Sequence, residues 1–178
     1  MKNKQQGFTL IELVITVAMA AIILAMGVPS FQETIRNNQL TSNANEFIAA
    51  LNLTRSEAVK RGVRVVLCKS SDQANCTGAG GYDQGWVVFV DADNDATIDA
   101  PGDIVRVFEG LKPGLTLAVA GAPTNDIDDY VAYLPQGMAQ AIGGAFQAGT
   151  LVLCKDAKAR NIVISSTGRA RVDTNATC

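Results

Sequence analysis

From Phe8 to Val28 the chain is apolar almost without a break, interrupted mainly by Thr9, Glu12 and Thr16. As a helix these 21 residues rise about 31 Å, enough to cross a hydrocarbon core of about 30 Å. Beyond Pro29 the apolar positions recur every third or fourth residue, at Phe31, Ile35, Leu40, Ala44, Phe47, Ile48, Leu51, Ala58 and Val59. That spacing predicts an amphipathic helix whose stripe packs on the remainder of the protein. Arg36, Glu46, Arg55, Glu57, Lys60 and Arg61 fall on other faces, and Gly62 follows two basic residues as the C-cap. Pro29 removes an i to i−4 hydrogen bond, so a bend is expected there.

After Gly62 the period shortens. Val63–Cys68, Trp86–Val90, Ile104–Phe108, Leu115–Val119, Tyr130–Leu134, Thr150–Cys154, Asn161–Ser165 and Arg169–Asp173 are short runs rich in β-branched residues, separated by Gly, Pro, Asn and Asp clusters. The sixth and seventh runs read as a hairpin, with a turn at Ser166-Thr167-Gly168 leading into the eighth. The expected fold is α+β: a long N-terminal helix packed on a head of one or two antiparallel sheets. Residues 120–129 and 137–149 are expected to be mobile loops.

A length of 178 residues suits one compact domain with an appendage. The formal net charge of −2 excludes nucleic-acid binding driven by overall charge. Lys2 and Lys4 precede the apolar span with no acid among them, which predicts a cytoplasmic N-terminus and an exported body. A cleaved secretory signal is the rival reading, with Ala25, Gly27 and Ser30 as small residues near a cut. Glu12 counts against it, because a carboxylate in hydrocarbon costs about 2.5–3.5 kcal/mol and needs a partner.

Export permits disulfides. Cys68, Cys76, Cys154 and Cys178 include no C-x-x-C pair, and the chain has no histidine, which excludes the common zinc patterns. Of three connectivities, Cys68–Cys76 with Cys154–Cys178 is favoured: the first closes a short polar loop and the second pins Cys178. Reduced thiols are the alternative. Without histidine the usual general base is missing, and Ser165-Ser166-Thr167 has no visible base partner. The expectation is a protein that is not an enzyme and needs no cofactor.

Two charged groups remain. Asp91-x-Asp93-x-Asp95, followed by Asp99, imitates the start of a calcium loop, but Ala96 stands at the glycine position and Gly102 at that of the twelfth-position glutamate. A solvated acidic turn is the simpler reading. Lys158, Arg160, Arg169 and Arg171, with Lys155 nearby, form a basic cluster. Arg169 and Arg171 share a strand face, and the hairpin is expected to bring Lys158 and Arg160 beside them. Such a patch holds a few phosphates with strong salt dependence; pairing with carboxylates is the alternative.

Gly7-Phe8-Thr9-Leu10-Ile11-Glu12-Leu13, behind a short basic leader, resembles the processing signal of type IV pilins and pseudopilins. The resemblance implies cleavage between Gly7 and Phe8 by a prepilin peptidase, N-methylation of Phe8, and a role for Glu12 in assembly with other pilins. It also divides the chain into a leader (1–7), a transmembrane and assembly helix (8–28), a stalk helix (29–62) and a periplasmic head (63–178), anchored in the inner membrane before extraction into a filament. The new ammonium at Phe8 would stand at i, i+4 from Glu12, one helical turn away.

Arg55-Ser56-Glu57-Ala58, the strand reaching Cys68, the run Gly85–Asp91 and the run Ser165–Arg171 resemble the FimT and FimU minor pilins and the H-type pseudopilin GspH. That branch implies a head of two antiparallel sheets. The implied function is that of a minor pilin supporting pilus initiation or tip formation, adhesion, twitching or DNA uptake. Two alternatives stand beside it: a DNA-binding competence pilin using its Gly-Arg-x-Arg motif, and an H-type pseudopilin of type II secretion.

Overall fold

The computed structural model describes residues 7–121 and 127–178. Its one long helix, α1, covers Leu10–Arg61 and runs on through position 29. Eight strands follow: β1 Arg64–Lys69, β2 Gly85–Asp91, β3 Ile104–Glu109, β4 Leu115–Val119, β5 Tyr130–Tyr133, β6 Gly149–Lys155, β7 Lys158–Ile164 and β8 Ala170–Asp173. They form two antiparallel four-stranded sheets, ordered β3-β2-β1-β5 and β4-β6-β7-β8. The chain separates into two compact units, residues 1–38 and 39–178.

In the first unit the apolar residues of α1 face outward. Phe8, Leu10, Ile11, Val17, Met19, Ile23, Leu24 and Met26 are exposed, as are Phe31 and Ile35 further along. An 18-residue window with mean hydropathy 2.5 makes the helix long and apolar enough to span a membrane.

In the second unit α1 buries Leu40, Ala44, Phe47, Leu51, Thr54 and Ala58, a run of alternating four- and three-residue steps that keeps one stripe inward. Val59, read from the pattern as part of that stripe, is 55% exposed, because one residue beyond Ala58 rotates about 100° away. The stripe meets the inner faces of both sheets in a single core: Val65 and Leu67, Trp86 and Val88, Val131 and Tyr133, Leu115 and Leu117, Leu151 and Leu153, Ile162 and Ile164. Phe47 stands edge-on to Tyr82 and Trp86, with ring centroids 5.2 and 5.1 Å away, and Trp86 stacks on Phe108. α1 ends where Gly62 takes φ +69 and its N–H reaches the Ala58 carbonyl.

The outer face of the first sheet is covered as well. Val66, Cys68, Phe89 and Ala132 pack with Ala96, beside Cys76, Ile98 and Tyr130, so β1 is buried along its whole length. The β6–β7 hairpin is longer than the β-branched pattern indicated. It closes through Asp156 and Ala157, pairing Lys155 with Lys158, and Asp156 adopts φ +53. The 137–149 segment, expected to be mobile, is tied down: Ala139 bridges Tyr133, Phe146 bridges Gln140, and Gln147 is fully buried.

Candidate functional site: helix start, disulfides and head faces

Thr9 caps α1. Its N–H and hydroxyl donate to Glu12 Oε2 at 2.9 and 2.8 Å, and the Glu12 N–H reaches Thr9 Oγ1 at 3.3 Å. This is a reciprocal capping box, readable in the sequence as a threonine followed three residues later by glutamate. The Glu12 carboxylate thus holds two donors from Thr9, both of them local. Lys2 and Lys4 lie outside the described residues.

Cys68 is joined to Cys76 and Cys154 to Cys178. The small loop is set by Asp72, whose Oδ1 receives the N–H of Ala74 and Asn75 while Oδ2 receives the Asn75 amide. The Asn75 amide and these two N–H groups hold the Asp72 carboxyl well below the usual carboxylate range. Lys69, 5% exposed, pairs with Asp129 at 2.7 Å and donates to the Gly80 carbonyl, joining that loop to the entry of β5.

The carboxylates of Asp91, Asp93 and Asp95 have oxygens within 4.8 Å of one another. Protein groups hold the turn: Asp91 Oδ1 and Oδ2 receive the N–H of Asp95 and Ala96, and Asn94 and Ala96 adopt φ +64 and +58. Ala96 thus takes the left-handed conformation at the position where a calcium loop has glycine. Burial pushes the Asp91 carboxyl up, opposed by these N–H groups and by the charge of Arg64. The geometry is that of an Asx-type acidic turn.

Strand register divides the basic cluster. Ile162 pairs with Val172 and Ile164 with Ala170, all lining the core side of the second sheet; Val163 pairs with Arg171 on the outer side. Arg160 pairs with Leu153 and Lys158 with Lys155, which puts Lys158 and Arg160 on the core side. There Lys155 donates to Gln39 Oε1 on α1. The expected grouping of four fails because opposite residues of an antiparallel ladder share a face, and these pairs have opposite parity.

Arg169 and Arg171 remain together. Both are exposed on the outer face, and among the described residues neither side chain has a hydrogen bond or ion pair. Their turn is anchored from α1. Arg55 Nη2 donates to the Thr167 carbonyl at 3.3 Å, and Ser165 Oγ accepts the Arg169 N–H. Gly168, at φ +78, lies so close to Gly137 that an added Cβ would stand 2.2 Å from the Gly137 oxygen. Arg55 and Gly168, 113 positions apart, build one joint.

The family model for the type II transport protein GspH matches residues 43–168, and that for the prokaryotic N-terminal methylation motif matches residues 2–28. The chain belongs to the GspH family. Among relatives of this GspH-family chain, the type IV major fimbrial protein FimA of Dichelobacter nodosus is 28% identical over 152 residues, 84% of this chain and 89% of that protein. The prepilin peptidase-dependent protein D of Escherichia coli K12 is 41% identical over 46 residues, 26% of this chain and 32% of that protein. In fold the chain is similar to the type IV minor pilin FimU of Pseudomonas aeruginosa, with TM-score 0.59, 22% identity, and coverage of 80% of this chain and 95% of that one. It is also similar to the minor pseudopilin EpsH of the Vibrio cholerae type 2 secretion system, with TM-score 0.50, 16% identity, and coverage of 76% and 97%. The GspH-family chain thus carries the N-terminal methylation motif, and its apolar helix leads into a two-sheet head whose fold is similar to theirs.

Gln147 escaped the sequence reading. Its Oε1 accepts the Ala132 N–H and its Nε2 donates to the Tyr130 carbonyl, so a side-chain amide continues along the edge of β5 the pairing that the Tyr133–Ala139 bridge begins. No local pattern marks such a glutamine.

Proposed function

We propose that this chain is a minor subunit of a type IV pilus. Residues 1–7 are a leader removed by a prepilin peptidase, residues 8–28 span the inner membrane with the N-terminus cytoplasmic, and the head at 63–178 is periplasmic until extraction into the filament. The observation that carries this reading is the outward-facing apolar stretch of α1. Such a surface is stable only in lipid or against other apolar helices, and a pilin occupies the first before the second. Glu12 exchanges its Thr9 donors for the new Phe8 ammonium after cleavage, which sets subunit register. Relatedness to a type IV fimbrial protein over 84% of the chain favours a pilus over a secretion pseudopilus.

Mass spectrometry of the mature protein is expected to show a methylated Phe8 at the N-terminus. An intact start, or a cut beyond Val28, refutes the reading. Glu12→Ala should leave the subunit in the membrane and at least tenfold depleted from sheared filaments.

Arg169 and Arg171 support a second reading, DNA capture by the head. Two exposed guanidiniums on one face, with no side-chain partner among the described residues, suit a phosphate backbone. Binding of duplex DNA to detergent-solubilised full-length protein should weaken steeply with salt. In Arg169→Ala/Arg171→Ala the slope of log K against log salt should fall by about 2. Absence of binding to wild type at low salt removes this reading and leaves the first intact.

A further inference from the structure

Three Asn-x-Thr sequons occur in the chain: Asn52-Leu53-Thr54, Asn75-Cys76-Thr77 and Asn175-Ala176-Thr177. An oligosaccharyltransferase needs the asparagine carboxamide and the hydroxyl two residues later free together, on a segment that can leave the protein surface. Structure separates the three. Asn52 lies within α1, and Thr54 is fully buried with its hydroxyl donated to the Ala50 carbonyl at 2.7 Å. At the second site the Asn75 amide is committed to Asp72 at 2.8 Å, Thr77 Oγ1 accepts the Ser71 N–H, and Cys76 is bridged to Cys68.

The third site differs in each respect. Residues 174–178 follow β8 and belong to no helix or strand, and both Asn175 and Thr177 are exposed. Among the described residues neither of these side chains has a hydrogen-bond partner, while the Asn175 backbone N–H donates to Asp173 Oδ1 at 3.0 Å. That bond turns the chain at Asn175, a residue that is itself exposed. The segment is tethered at its two ends, by β8 and by Cys178, which is bridged to Cys154 and has its Sγ 3.2 Å from the Lys158 carbonyl oxygen.

We propose that Asn175 is an acceptor for an N-linked glycan. The donor is an oligosaccharide carried on a polyprenyl diphosphate. The Asn175 carboxamide nitrogen forms a bond to the sugar C1 and gives its proton to a base of the transferase. The C1–oxygen bond to the diphosphate breaks, and the polyprenyl diphosphate leaves with the electron pair. Nothing is oxidised or reduced. The glycan would stand on the outer side of the second sheet, where Cys154 anchors the segment. The inference rests on export of the head, since lipid-linked donors are used outside the cytoplasm.

The test is to co-express the full chain in a bacterial host with a bacterial oligosaccharyltransferase and its lipid-linked oligosaccharide. The protein is then digested with trypsin without reduction and weighed by mass spectrometry. The segment beginning at Val172 should gain the mass of one oligosaccharide. The gain should vanish in Asn175→Gln and in Thr177→Ala, and persist in Asn52→Gln and Asn75→Gln. An unmodified Asn175 in protein whose Cys154–Cys178 bridge has formed overturns the proposal and leaves export standing, as does a glycan found on Asn52 or Asn75 instead. Free thiols at Cys154 and Cys178 overturn export and the proposal together.

Discussion

Tyr133 is fully buried, and among the described residues its hydroxyl has no hydrogen-bond partner. Burial pushes the phenol from 10 up to about 12, with the Arg55 charge acting the other way. A folded-state value above the unfolded one favours the neutral form, so this contribution is complete below about pH 10 and disappears as pH rises towards 12. Tyr133→Phe should therefore change stability by less than about 1 kcal/mol at pH 7, since no bond is lost. Urea titrations should show that it loses less stability than wild type between pH 10 and 12. Gly168 is the opposite kind of position. Its φ of +78, with the Gly137 oxygen and the Tyr133 ring 2.2 and 2.9 Å from an added Cβ, leaves no room for a methyl group. Gly168→Ala should cost about 2–4 kcal/mol, read as a lower denaturation midpoint with unchanged slope.

At the scale of elements, the helix stripe and the disulfides make separate contributions. Leu51 is fully buried and Val59 is 55% exposed, although both belong to the same apolar pattern. Leu51→Ala is expected to cost about 2–5 kcal/mol and Val59→Ala less than about 1, checked by chemical denaturation. The Cys154–Cys178 bridge closes a separation of 24 residues, and Cys178→Ser should lower stability by about 3 kcal/mol. All eight strands were legible because β-branched clusters between turn residues are a local signal. The extension of β6 and β7 to a two-residue turn was not, since Lys155 and Lys158–Arg160 look like loop residues until they are paired. Capping of β5 by Gln147 was hidden for a related reason: it depends on a contact 15 positions away.

For the whole molecule, the two ends of the chain present different problems to solvent. The exposed apolar length of α1 is long enough to span a membrane, while the second unit, residues 39–178, is built around a single main core of its own. Removing that apolar length should free the head: a version beginning at Gln39 is expected to stay in solution without detergent and keep both disulfides. Sedimentation and thiol counting check this, and aggregation or free thiols would show that the helix stabilises the head. The N-terminal methylation motif, within which Gly7, Phe8 and Glu12 fall, was readable as a linear pattern, as was the existence of a basic cluster. Its division was not readable: Arg169 and Arg171 stay together, and Lys158 and Arg160 fall on the other face of their sheet.

The chain's own order of residues determined the apolar span, the amphipathic stripe, the strands and the processing motif, because each depends on spacing between neighbours a few positions apart. Tertiary structure decided which charged side chains share a surface, which cysteines meet, and that Arg55 and Gly168 build one joint. The first depends on ladder parity, which a shift of one residue in register would reverse, and the others on contacts between positions from 8 to 112 apart.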